Sequence, residues 1–206
     1  MKNINIDETN VTCSHTKAEN VILNGEKVLR VEKHEKLDIF DENTYVLVND
    51  EKMHNGTIEV KMLSRLLPDA PDYARGFIGI VFRASENDSE FECFYIRPTN
   101  GHGCDDPVRK AHGCQYFSYP GYTFAYFREH NISGYEAPAD IGLDEWIQLK
   151  AVIRDEYAEF YVNDMDTPVL KVDPMKHGKG ISGGFGFYVD TGTEAFYKDL
   201  KVTVED

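Results

Sequence analysis

The apolar residues of this chain repeat every two positions and almost nowhere every 3.6, and that spacing constrains the fold more than any other feature. No segment longer than about ten residues carries a helical apolar period. Ile58, Val60 and Met62 alternate with Thr57, Glu59 and Lys61 directly after an Asn55-Gly56 turn signal, which predicts a half-buried strand. Residues 76–83 (GFIGIVFR) read as a strand buried on both faces. Residues 90–97 (EFECFYIR) read as the next, ended by Pro98-Thr-Asn-Gly101. Further strands are expected over 26–32, 44–48, 114–119, 122–128, 146–154, 157–162, 168–172, 183–190 and 195–204, with a turn at Asn163-Asp164. In the last of these, Phe196, Lys198, Leu200, Val202 and Val204 are expected on one side. Residues 1–20 read as an arm or a first edge strand.

About a dozen short strands at regular spacing call for two stacked antiparallel sheets, an all-β sandwich with little helix. With no linker, repeat or low-complexity segment, residues 1–206 read as one domain. The 12 Tyr and 12 Phe against a single tryptophan, Trp146, agree with strands. Hydrophobic residues at 41% and charged residues at 28% supply a core and argue against disorder. Lys+Arg 22 against Asp+Glu 36 gives a net charge of −14, which argues against nucleic-acid and anionic-membrane binding. No apolar run is long enough to span a bilayer. No leader is visible at Met1-Lys-Asn-Ile, so the chain as written reads as cytoplasmic, a reading that a removed leader would reverse. Four cysteines are too few for a disulfide scaffold.

Residues 95–130 depart from this acidic background. They hold Arg97, Arg109, Lys110 and Arg128 against Asp105, Asp106 and Glu129, with His102, His112 and His130. Seven of the fifteen residues 113–127 are aromatic. Strand alternation puts Phe91, Cys93, Tyr95 and Arg97 on one face of 90–97, with Phe94 and Ile96 on the other. It likewise groups Gln115, Phe117 and Tyr119, and then Phe124, Tyr126 and Arg128. Three such strands side by side would make a floor of aromatic planes, amides and guanidiniums, the mixture that sugars require. Converging arginines would add a site for a uronate, sulfate or phosphate. The competing reading makes the aromatics core and the arginines solvated rim.

The run Phe94-Tyr-Ile-Arg-Pro-Thr-Asn-Gly101, followed by Asp105-Asp106, Arg109-Lys110, His112, Gln115-Tyr116, Ser118 and Tyr119-Pro120, resembles bacterial members of the concanavalin A-like lectin/glucanase superfamily. Such members are often labelled as relatives of 3-keto-disaccharide hydrolase or laminin-G-like domains. The similarity continues through Arg128, Tyr135 and Glu145-Trp146 to Ala195-Phe196 and Leu200-Lys-Val202, about residues 55–204. It implies a two-sheet jelly roll with a concave face, but little about activity, because such folds host many functions. The sequence departs from the family pattern at His102-Gly103-Cys104, with about one extra residue.

Several motifs compete for chemistry. Glu86-x-Asp88-x-Glu90 resembles the catalytic strand of laminarinase-type hydrolases, yet Asn87 and Ser89 occupy the interleaved positions, which favours a hairpin turn. His102-Gly-Cys104 and His112-Gly-Cys114 could supply a Cys2His2 zinc site, or Cys104 and Cys114 a disulfide in an exported protein; free thiols are the simpler expectation. Gly183-Gly-Phe-Gly186 reads as a strand packed closely under a neighbour. Asp38, Asp41, Asp190 and Asp199 are calcium candidates by composition only, and otherwise no cofactor is expected.

The first functional expectation is a carbohydrate-binding module using Tyr95, Arg97, Asn100, Arg109, His112, Gln115, Tyr126 and Arg128. Its partner would be an oligosaccharide or sugar-derived small molecule. The second is a glycoside or disaccharide hydrolase on the same face, its acid–base residues drawn from His112, Asp105, Asp106 and Glu136. A carboxylate at the centre of the face would favour the enzyme. A protein-interaction sandwich is the third, and would expose an apolar patch.

Overall fold

The structure is a computed structural model that describes residues 1–34 and 39–205. In chain order its strands begin with β1 (Lys2–Ile4), β2 (Val11–Ser14), β3 (Thr16–Leu23), β4 (Glu26–Lys33), β5 (Tyr45–Val48), β6 (Asn55–Leu66), β7 (Ile78–Ala84) and β8 (Phe91–Ile96). They continue with β9 (Cys114–Tyr119), β10 (Glu136–Ala137), β11 (Ile147–Arg154), β12 (Tyr157–Val162), β13 (Leu170–Val172), β14 (Gly184–Val189) and β15 (Thr193–Glu205). Two short helices, α1 (Pro107–Lys110) and α2 (Phe124–Glu129), flank β9.

Every strand pair is antiparallel. One sheet runs β13-β12-β11-β6-β15-β4-β3, with β1 on β15, and the other runs β10-β9-β8-β7-β14-β5-β2. The expected sandwich of two antiparallel sheets is therefore what forms. Residues 1–20 supply strands to both sheets, with β2 and β3 closing their edges.

The two-residue period sets the core. Ile58, Val60 and Met62 of β6 and Ile147, Leu149, Ala151 and Ile153 of β11 all point between the sheets and are buried. Phe94 of β8 stacks on Phe160 of β12 across the sandwich, with ring centroids 4.3 Å apart. Gly186 lies close under β5, where a Cβ would meet Val46 O at 1.9 Å, as the glycine-rich run suggested.

Two expectations fail in register. On β15, a bulge between Lys198 and Lys201, with Asp199 at φ 56°, reverses the alternation. Tyr197, Leu200 and Val202 therefore face the core, while Phe196 faces outward beneath Arg65. Residues 122–128 do not form a strand. Thr123 caps α2, its Oγ1 accepting from Tyr126 N at 3.4 Å, and the aromatic run winds into a helix.

Candidate functional site

Cross-strand register places three polar side chains in one row on the outer face of the seven-stranded sheet. Tyr95 pairs with Gln115, and Gln115 with Glu136 of β10. The alternation expected for β8 and β9 holds: Phe91, Cys93, Tyr95 and Phe117 share this outer cluster, and Phe94 and Ile96 turn into the core. The third strand beside them is β10 with its carboxylate, and α2 contributes its arginine as a helix. Phe40, Leu47 and Tyr119 pack against the outer aromatics. Tyr95 and Phe117 are at most 1% exposed, so this aromatic face is largely a second core, as the competing reading held.

Arg97, one residue past β8, anchors the row. Its Nη1 donates to Glu136 Oε1 at 3.0 Å and to His112 O at 3.2 Å. Its Nη2 donates to Tyr95 OH at 2.7 Å and to Gln115 Oε1. Burial alone would lower the Arg97 pKa, but Tyr95, Glu136 and Asp41 outweigh it and the guanidinium is held charged. Gln115 is fully buried behind Arg97, and its Nε2 has no hydrogen-bond partner among the described residues.

Above this row lies a cavity of about 330 Å³, at the small end of ligand sites. Six of the expected residues line it: Tyr95, Arg97, Asn100, Arg109, His112 and Arg128. Asp106 caps α1 by accepting from Val108 N at 2.9 Å, which presents Arg109. Arg109 Nε then donates to Asn100 Oδ1 at 3.1 Å and its Nη2 to Thr99 Oγ1 at 3.0 Å. On α2, Phe124 and Arg128 are one turn apart, with the guanidinium 5.2 Å from the ring centroid. Tyr126, expected in the site, does not line the cavity: it stacks on His130, with ring centroids 4.2 Å apart.

Three further contributors, Phe40, Tyr73 and Arg75, come from loops that alternation does not reach, and a fourth, Phe77, belongs to the expected strand 76–83 but lies just ahead of β7. Phe40, Tyr73, Phe77 and Arg75 complete the wall, with Phe40 packed edge-on against Tyr73, Phe77 and Phe124. Among the described residues Arg75 donates to the Asp72 and Ala74 carbonyls, and its pKa is lowered by burial first, then by Arg109. Arg97 and Arg128 share Glu136, whereas Arg75 and Arg109 have no carboxylate partner among the described residues. The lining also includes Asp41, 2% exposed, whose carboxyl burial pushes up to about 7.

The remaining candidates separate. His112 Nδ1 lies 3.1 Å from Glu136 Oε2, out of line for a hydrogen bond. Asp105 and Asp106 are exposed outside the cavity. Glu86, Asp88 and Glu90 form the β7–β8 hairpin turn, with Asp88 at φ 56° accepting from Tyr45 OH at 2.9 Å. All four cysteines are free thiols, so Cys104 and Cys114 are not bonded. Asp190 pairs with Lys33 at 2.6 Å and Asp199 with Lys61 at 2.9 Å, and Asp38 lies outside the described residues. Among the described residues no three His, Cys, Asp or Glu side chains gather as a metal site.

Two facing antiparallel sheets of eight and seven strands define a β-sandwich. No family model matches the chain, and no curated protein matches it. Among solved structures it is similar to carbohydrate binding module CBM66 from Bacillus subtilis, with 12% identity, TM-score 0.55, and 92% of this chain and 96% of that one covered. It is also similar to a candidate glycosyl hydrolase from Parabacteroides distasonis, with 13% identity, TM-score 0.56, and 97% and 90% covered. A protein of unknown function with galectin-like fold from Bacillus subtilis matches at 13% identity and TM-score 0.54, with 95% and 89% covered. These likenesses establish the fold.

Proposed function

We propose that the chain is a carbohydrate-binding sandwich whose cavity takes a small sugar bearing an anionic group. The observation that carries this reading is the gathering of Arg75, Arg97, Arg109 and Arg128 around one cavity in a protein of net charge −14. Two of the four lack a carboxylate partner among the described residues, and such guanidiniums pair a carboxylate, sulfate or phosphate. Asp41, poised near neutrality, offsets little of their charge. Phe40, Tyr73 and Phe124 offer ring edges and faces at the mouth, and Asn100 and His112 offer hydroxyl partners. The sandwich fold shared with a carbohydrate binding module supports the sugar class.

The same cavity suits a second reading, a hydrolase, because Asp41 is a buried carboxyl whose pKa fits acid–base work. Asp41 is, however, the sole carboxylate among the described lining residues, and glycosidases generally use two. Binding is therefore the better-supported function.

The test is a thermal-shift and NMR titration panel of glucuronate, galacturonate and glucose 6-phosphate against glucose, galactose and fructose, with products assayed in each mixture. An acidic sugar at 100 times its Kd is expected to add about 2.7 kcal/mol without turnover. Product that disappears in Asp41→Asn would establish the hydrolase instead. Binding of neutral sugars alone would remove the anionic part of the reading.

A further inference from the structure

Beside the arginine-lined cavity lies a second one of about 570 Å³, bordered by Asn131, Ser133, Tyr135 and Glu136. His112 and Arg128 line both. Arg128 is half exposed, with its Nη2 donating to Glu136 Oε1 at 3.1 Å and its guanidinium over Phe124, so its side chain stands on the border of the two cavities. The two spaces differ in charge. The first is cationic, with four guanidiniums against Asp41, whereas the second sets Glu136 against Arg128 and adds neutral polar groups. The Asn131 and Ser133 side chains are exposed and hydrogen-bond no described residue, which leaves amide and hydroxyl groups open toward this space. Phe127 and Tyr135, which also line it, stack with 4.4 Å between ring centroids.

We propose that the two cavities form adjoining subsites for the end of a mixed glycan, an acidic sugar residue among the arginines and a neutral residue over the Arg128–Glu136 pair. The inference rests on the anionic-sugar reading of the first cavity and extends it to a chemical class, a uronic acid linked to a neutral sugar. A neutral ring suits the second space because its hydroxyls can use Asn131, Ser133 and Glu136 as partners. A second carboxylate there would meet Glu136 and an Arg128 that Glu136 already pairs, so it would find no unpaired guanidinium among the described lining residues to offset the like charge.

The test compares three probes by NMR titration: glucuronate, glucuronosyl-xylose and the all-acidic β-1,4-diglucuronate. The mixed disaccharide is expected to bind about tenfold tighter than glucuronate, and diglucuronate no tighter than the monosaccharide. Two variants remove the second subsite while leaving the first. Asn131→Gly deletes the amide and keeps the left-handed backbone at φ 53°, and Ser133→Trp fills the space. Both are expected to abolish the tenfold gain and leave the glucuronate affinity unchanged. Equal binding of glucuronate and glucuronosyl-xylose, or a gain that survives both variants, would overturn the second subsite. Diglucuronate binding tighter than glucuronosyl-xylose would overturn its preference for a neutral ring. Failure of all three probes would instead overturn the acidic-sugar reading of the first cavity, and the extension with it.

Discussion

The backbone N–H of Phe124 donates to Asp41 Oδ2 over 2.8 Å, which fastens the helix bearing Arg128 to the loop bearing Phe40. Two walls of the cavity, more than eighty residues apart in sequence, are thus joined through a carboxyl that itself lines the cavity. Asp41 N in turn donates to Asp190 Oδ2 at 3.3 Å, and Asp190 is paired with Lys33. The site is consequently coupled to the ionisation of one buried group.

That coupling has a sign. Burial raises the Asp41 pKa to about 7; the Phe124 N–H opposes the shift and Asp190 adds to it. An unfolded aspartate ionises near 3.9, so between about pH 4 and pH 7 the folded state holds a proton that the unfolded state has released. The contribution of Asp41 to stability is full below pH 4 and lost as pH rises through 7. Asp41→Asn keeps an acceptor for Phe124 N and removes the titration. Urea unfolding across this range should show the native protein losing on the order of 4 kcal/mol relative to the variant. Parallel pH profiles for the two proteins would show that Asp41 ionises normally.

Two arginines that look equivalent in sequence should differ sharply in what they do for folding. Arg97 is 6% exposed and bonded to Glu136, Tyr95, Gln115 and the His112 carbonyl, whereas the Arg128 side chain is half exposed with one ion pair. Removing one partner of a buried ion pair costs about 3–5 kcal/mol, because the other charge is left without compensation. An exposed pair contributes about 0–1 kcal/mol. Arg97→Met is expected to lie in the first range and Arg128→Ala in the second, measured by urea denaturation. Equal losses would mean that the Tyr95–Gln115–Glu136 row does not need its central cation. Arg97 variants are for the same reason poor probes of ligand binding.

The short helix offers a milder perturbation. Thr123→Ala removes the acceptor for Tyr126 N at the start of α2 and should cost about 1 kcal/mol. Because α2 presents both Phe124 and Arg128, the same change should weaken sugar binding several-fold, whereas Thr123→Ser should restore both properties. A loss of stability with unchanged affinity would show that the Asp41 bond alone holds the helix in place.

What could be read from the sequence follows the reach of local periodicity. The faces of β8 and β9 are legible because a strand alternates at every residue, which groups Tyr95 with Arg97 and Gln115 with Phe117, while the pairing of Tyr95 with Gln115 needs the cross-strand register. The 122–128 segment departs from the strand expectation because aromatic residues favour strands by propensity, while a six-residue helix owes its existence to tertiary contacts, here the Asp41 bond and the burial of Phe127 against Tyr135. The Thr123 cap was the one local signal for it. Phe40, Asp41, Tyr73 and Arg75 lie in loops, where no period marks which side faces a cavity. On β15 a single left-handed residue, Asp199, was enough to invert the remaining half of a strand.

Arg75 and Arg109 are the residues whose removal separates ligand binding from folding. Neither has a carboxylate partner among the described residues, so truncation leaves no buried anion exposed to an unfavourable environment. Arg75 gives up two bonds to backbone carbonyls, and Arg109 gives up bonds to Thr99 and Asn100, each worth about 1.5–3 kcal/mol at most in net stability. Their guanidiniums, without a carboxylate partner among the described residues, are nevertheless the cations that an anionic sugar would meet in the cavity. Arg75→Ala and Arg109→Ala should each weaken glucuronate binding about tenfold, and the double variant should lose more than either. Raising the salt from 50 to 500 mM should weaken the native protein toward the level of the variants, since screening acts on the same attraction. Affinity that is insensitive to both substitutions and to salt would mean that the arginines are scaffold, and that the cavity recognises its ligand through Phe40, Tyr73 and Phe124 alone.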